Sequence, residues 1–71
     1  MTLRHLNIFL CVCDENNMTK AAGRLHMTQP SVSLAVQELE EHYQTLLFER
    51  LGRRLFITEA GRRLATYARH I

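Results

Sequence analysis

Two stretches of this 71-residue chain concentrate the groups that can do chemistry with a partner molecule. The first is Thr28-Gln29-Pro30-Ser31-Val32-Ser33, in which hydroxyls and an amide gather around a proline. Such groups cap a helix, and at a helix start they also donate and accept hydrogen bonds with base edges and phosphates. The second is Arg50 with Arg53 and Arg54, set around Gly52. The net charge is only +2, but it is unevenly distributed. Residues 1–49 hold Arg4, Lys20 and Arg24 against Asp14, Glu15, Glu38, Glu40, Glu41 and Glu49, whereas residues 50–71 hold six arginines against Glu59 alone. Arginine presents a planar fork of donors that matches phosphate oxygens.

Catalytic chemistry finds no comparable support. His5, His26, His42 and His70 are scattered, and no pair has the spacing of a zinc motif. Ser31 and Ser33 lie near His26, but no oriented acid accompanies them and a chain of this length offers little scaffold for a pocket. Cys11 and Cys13 are two residues apart in a helical pattern, so their side chains diverge by about 200° and read as packing residues. No enzymatic activity, metal or cofactor is expected.

The elements that position the two stretches follow from periodicity. Thr2 caps a first helix with apolar positions Leu3, Leu6, Phe9, Leu10 and Cys13, interrupted at Asn16-Asn17. Asn17 caps a short second helix from Met18 to about His26, with Met18, Ala21, Ala22 and Leu25 on one face and Thr19, Lys20 and Arg24 elsewhere. Thr28 caps a third helix to about His42; Pro30 sits in its first turn, where a missing amide hydrogen costs nothing. Its core stripe is Val32, Ala35, Val36, Leu39 and Tyr43, opposite Ser33, Leu34, Gln37 and Glu41. From Leu47 to Ile57 the period shortens to that of two strands around a glycine-containing turn, a wing. Thr58 starts a fourth helix whose apolar face is Ala60, Leu64, Tyr67, Ala68 and Ile71 and which has no stop signal, so the chain reads as part of a longer protein. Hydrophobic residues at 46% and charged residues at 23% exclude disorder, and no apolar run approaches the ~18 residues of a membrane span. The start lacks a signal-peptide core, so the expected compartment is the cytoplasm.

The expected fold is therefore mainly α: a winged helix-turn-helix with a three-helix core and two-stranded wing over residues 1–58, and a fourth, linker helix beginning at 59–71. The order of motifs resembles the N-terminal DNA-binding domain of LysR-type transcriptional regulators. Carrying the resemblance are Leu3-Arg4-His5-Leu6 with Phe9, Thr19-Lys20-Ala21-Ala22-Gly23-Arg24-Leu25-His26, Thr28-Gln29-Pro30-Ser31-Val32-Ser33 with Leu39-Glu40, Leu47-Phe48-Glu49-Arg50, Gly52-Arg53-Arg54 and Thr58-Glu59-Ala60-Gly61. The resemblance implies a bacterial transcription regulator that binds an interrupted palindrome in double-stranded DNA as a homodimer. The third helix would lie in the major groove, the wing at the backbone or minor groove, and effector sensing in a domain outside this chain. The implied DNA-binding residues are Thr19, Lys20, Thr28, Gln29, Pro30, Ser31, Ser33, Leu34, Gln37, Arg50, Arg53 and Arg54, and the implied dimer contact is Leu64, Tyr67, Ala68 and Ile71.

Three positions depart from the family pattern. Leu34 stands where an arginine is usual, Gln37 where a second basic residue is frequent, and Gln44 where glycine is expected after the third helix. Leu34 on the outer face reads in two ways, as a single exposed leucine of the kind common on protein surfaces or as a contact for a thymine methyl. The competing reading is a winged-helix module for protein interaction or dimerisation alone, served by the apolar fourth helix with Glu38, Glu40 and Glu41. Arginines around a turn beside a polar helix start favour DNA.

Overall fold

The computed structural model describes residues 2–71. It contains α1 (Leu3–Glu15), α2 (Met18–Leu25), α3 (Gln29–Tyr43), β1 (Phe48–Leu51), β2 (Arg54–Ile57) and α4 (Glu59–Ala68). Each helix starts where a side chain can replace a missing intrahelical acceptor. Thr2 accepts from the amide of His5, Asn17 from Lys20, Thr28 from Ser31 and Thr58 from Gly61.

The first three helices end on left-handed residues, and none of these is glycine: Asn16, His26 and Gln44 have φ of 51°, 56° and 54°. After α2, Met27 donates to the carbonyl of Ala22 at 2.9 Å, and after α3, Thr45 donates to Glu40 at 3.1 Å. These bonds satisfy carbonyls that the helix leaves unpaired, which offsets the strain of a Cβ in that conformation. Gln44 thus occupies the left-handed position that would ordinarily be given to glycine.

The core joins all six elements. Phe9, Val12, Val32, Leu39 and Leu47 are fully buried, and the rings of Phe9 and Phe48 meet at 5.5 Å, binding α1 to the root of the wing. Ala21 and Ala22 are buried where α2 crosses its neighbours, their small side chains permitting close approach. Cys11 is buried, with its thiol 3.9 Å from the carbonyl of Ala21, and Cys13 is half-buried. Burial pushes the Cys13 thiol up to about 11, so both cysteines pack as protonated thiols. Three apolar assignments differ from the periodic expectation, the first being Leu3, which opens α1 and is 61% exposed. Tyr43 ends α3 with its side chain 39% exposed, edge-on to the ring of His42, because the stripe gives a direction and not the distance over which neighbours cover it. On α4, Leu64 and Ala68 point into the core with Ala65, whereas Tyr67 is 64% exposed; the helix ends at Ala68, so Ile71, expected on its apolar face, lies beyond it and is 68% exposed. The expected free face of α4 is therefore partly used within the chain.

The wing is a two-stranded antiparallel hairpin with Phe48 opposite Ile57 and Leu51 opposite Arg54. Gly52 takes φ of 65° at its tip. At the root, the Glu40 carboxylate accepts from the amides of Leu47 at 2.8 Å and Phe48 at 3.3 Å. The Leu47 carbonyl accepts from the Thr58 amide at 3.0 Å, and the Thr58 hydroxyl donates to Leu46 at 2.6 Å. A Cβ on Gly61 would run into that same Leu47 carbonyl and lie 2.7 Å from Ile57 Cγ1, so only glycine lets α4 cross the hairpin this closely.

Because the non-glycine cap at Gln44 is strained, Gln44→Gly is expected to raise unfolding stability by about 1 kcal/mol. Urea denaturation of the two proteins at equal m-value measures it, and a lower midpoint in the variant would contradict a strained cap.

Candidate nucleic-acid interface

The ion pairs decide which cations are free for a partner. Arg24 meets Glu15 at 3.2 Å and Asp14 at 3.7 Å, Arg69 meets Asp14 at 2.9 Å, and Arg62 and Arg63 share Glu59 at 3.1 and 3.6 Å. Among the described residues, the cations without a carboxylate partner are Arg4, Lys20, Arg50, Arg53 and Arg54. Three of these five, Arg50, Arg53 and Arg54, line one hollow with Gln29 at the start of α3. The acidic residues of the first 49 positions cancel them only in part. Asp14 and Glu15 pair with Arg24 and Arg69, and Glu38 and Glu40 bond His5 and the wing-root amides. Glu41 and Glu49 carry no ion pair among the described residues, Glu49 lying in the hollow with Arg50.

The start of α3 is built around hydroxyls in two roles. Thr28 is committed to the cap, and its hydroxyl also donates to Ser31 Oγ at 2.8 Å. Ser33 is a junction: its oxygen accepts from Gln29 Nε2 at 3.3 Å and from Arg50 Nη2 at 2.9 Å. The second bond links the wing to the helix through side chains. The first holds the Gln29 amide by one of its two N–H groups, leaving a second N–H beside a carbonyl oxygen, the donor-acceptor pair that an adenine edge accepts.

Two concavities border these residues. One, about 630 Å³, runs between α3 and the wing and is lined by Ser33, Val36, Gln37, Glu40, Phe48 and Arg50, among others. The other, about 220 Å³, gathers Asn16, Asn17, Thr19, Gln29, Arg50, Arg53 and Arg54, bringing the start of α2 against the basic tip of the wing. Thr19, Lys20, Pro30, Ser31, Leu34 and Gln37 are all exposed on the neighbouring surface. The structure thus brings most of the expected residues onto one side of the molecule. Leu34 stands apart from the wing, in a shallow hollow with Arg4, His5, Met27, Ser31 and Glu38.

Sequence reasoning missed four contributors. Asn16 and Asn17 read only as helix punctuation, although Asn17 opens a helix N-terminus beside Arg53 and Arg54. Arg4 carried a signal: no acidic residue lies three or four positions away, so its helix offers it no ion pair. Glu40 read only as part of a motif and of an acidic surface row, not as the tie that holds the wing root. The acidic row that favoured a pure protein-interaction surface is also reduced, since Glu40 holds the wing and Glu38 bonds His5 Nε2 at 3.0 Å.

No group of three or more metal-ligating side chains occurs among the described residues, and no described helix is long and apolar enough to cross a membrane.

Comparison with known proteins gives a consistent result. The pattern of the family described as "Bacterial regulatory helix-turn-helix protein, lysR family" matches residues 3–62. The chain is 45% identical over 71 residues to the RuBisCO operon transcriptional regulator of Allochromatium vinosum, covering 100% of this chain and 24% of that protein. It is 44% identical over 71 residues to the HTH-type transcriptional regulator CfxR of Cupriavidus necator, covering 100% and 22%. Among solved structures it superposes on a BenM_DBD/catB site 1 DNA complex with a TM-score of 0.93 at 40% identity, covering 99% of this chain and 75% of that one. A CbnR_DBD-DNA complex gives 0.93 at 37%, covering 99% and 80%. The chain thus spans about a quarter or less of the two regulators compared by sequence.

Proposed function

Since the chain belongs to the LysR family of bacterial regulatory helix-turn-helix proteins, we propose that it is a winged helix-turn-helix domain that binds double-stranded DNA sequence-specifically to regulate transcription. The observation that carries this reading is the partition of charge: among the described residues, Arg50, Arg53 and Arg54 have no carboxylate partner and line one hollow with Gln29 at the polar start of α3. A helix of this diameter fits a major groove about 12 Å wide. In that pose Gln29, Pro30, Ser31, Ser33, Leu34 and Gln37 face bases, while Thr19, Lys20 and Thr28 lie near phosphates. Arg53 and Arg54 then reach the backbone or the adjacent minor groove from the wing tip. Solved DNA complexes of domains superposing at a TM-score of 0.93 support this docking. Such a regulator acts in the cytoplasm, and effector sensing belongs to a portion of the protein outside these 71 residues.

The binding form is a homodimer on an interrupted palindrome, because a two-fold pair of domains matches two half-sites. The dimer contact runs along α4 and the residues that follow it to 71, the start of a linker segment. Here the burial of Leu64 and Ala68 in the core changes the emphasis. The available surface is Tyr67 and Ile71, with an apolar groove of about 510 Å³ lined by Tyr43, Leu47, Ala60, Arg63, Leu64 and Tyr67. Leu64 then forms the floor and Tyr67 the rim.

Duplex affinity is expected to fall steeply as salt rises, and Arg53→Ala or Arg54→Ala should each reduce the slope of log K against log salt by roughly one on every sequence tested. An affinity independent of salt would contradict the docking. Sedimentation is expected to show self-association that Tyr67→Glu abolishes without lowering the unfolding midpoint, since that side chain is exposed. A wild-type chain that stays monomeric at high concentration would place the dimer contact outside these residues.

A further inference from the structure

On α3 the residues opposite the buried Val32, Ala35, Val36 and Leu39 are Pro30, Leu34, Gln37 and Glu41. This outward row contains no cation, so the commonest base contact, an arginine or lysine fork on guanine, is unavailable from it. Its first two turns offer instead an aliphatic side chain and an amide. Leu34 is 55% exposed and packs against nothing that would hide it.

Its position between two sets of free cations matters more than its exposure. On one side Arg50 is anchored to Ser33 at 2.9 Å, with Arg53 and Arg54 beyond it. On the other, Arg4 borders the same hollow as Leu34, held only by a 3.9 Å contact with Met27 Sδ. If both sets reach phosphates across one groove, the row between them faces base edges. Glu38, the neighbouring acid whose carboxylate could accept from a cytosine amino group, is turned to His5.

We infer that Leu34 is a specificity-determining residue that selects a thymine within each half-site by packing on its methyl group, while Gln37 one turn on bonds the edge of an adenine. The inference rests on the DNA-binding reading above. A leucine can form no hydrogen bond, so it gains only from apolar surface, and in the major groove the C5-methyl of thymine is the apolar group displayed. The half-site read by α3 is accordingly rich in A·T pairs at the positions facing Leu34 and Gln37.

The test is competition binding of the 71-residue chain at low salt to its selected site, with each thymine replaced in turn by uracil. One position per half-site is expected to lose about fourfold in affinity, the equivalent of one methyl group's burial. Leu34→Ala should remove that difference while still binding DNA. At the same pair, exchanging T·A for C·G should weaken wild-type binding, and 5-methylcytosine should recover part of the loss in the wild type alone. Circular dichroism checks that the variant, altered at an exposed site, remains folded. No uracil-sensitive position, or one equally sensitive in Leu34→Ala, would overturn the inference while leaving DNA binding intact. Absence of salt-dependent duplex binding would overturn both.

Discussion

The Glu40 carboxylate decides where the wing stands relative to the third helix. Its two bonds, to the amides of Leu47 and Phe48, span the connection between α3 and β1 from a point within α3 itself. Bonds to a charged acceptor contribute about 1.5–3 kcal/mol each, and half-exposed ones lie at the lower end of that range. The same short segment is gripped from the other side by Thr58 and by α4, which approaches closely only because residue 61 is glycine. Leu47, fully buried between these ties, is the hinge pin of the arrangement. With it fixed, Arg50 comes within 2.9 Å of Ser33, and the wing and helix present one continuous surface.

Charge is organised by subtraction. A chain with net charge +2 does not look like a ligand for a polyanion, yet its acids neutralise selectively. Asp14 and Glu15 take Arg24 and Arg69, tying the ends of α1 and α2 to α4, and Glu59 takes Arg62 and Arg63. These exposed pairs contribute little to stability. Their effect is on the field: among the described residues Arg50, Arg53 and Arg54 stay unpaired at the wing, where they outnumber the unpaired Glu49 of β1, so a weakly basic chain presents a locally basic face.

Much of this architecture was legible in the residues. The caps Thr2, Asn17, Thr28 and Thr58 stand where the helices begin, because a short polar side chain before an apolar period has one economical use. The wing followed from a shortened period around Gly52. What periodicity could not tell was how far neighbours cover a face. Tyr43 was assigned to the core and stands in a groove, and α4 was read as wholly available although Leu64 and Ala68 are buried. The role of Glu40 was hidden for a related reason: a carboxylate bonded to backbone amides seven and eight residues away leaves no pattern in side-chain types. Likewise, the Ser33 junction exists only once the hairpin has folded back on α3.

The claim that the Glu40 tie, and not charge alone, creates the DNA-binding surface is tested most directly by the duplex affinities of Glu40→Gln and Glu40→Ala, measured well below their melting midpoints. Both remove one negative charge beside a phosphate-binding face, which by electrostatics alone tightens binding equally. Glutamine retains an oxygen that can accept from Leu47 and Phe48, and alanine does not. The account predicts that Glu40→Ala binds more weakly than the wild type and than Glu40→Gln, with a shallower salt slope as the wing arginines lose their placement. Equal affinities for the two variants, both at or above that of the wild type, would contradict it.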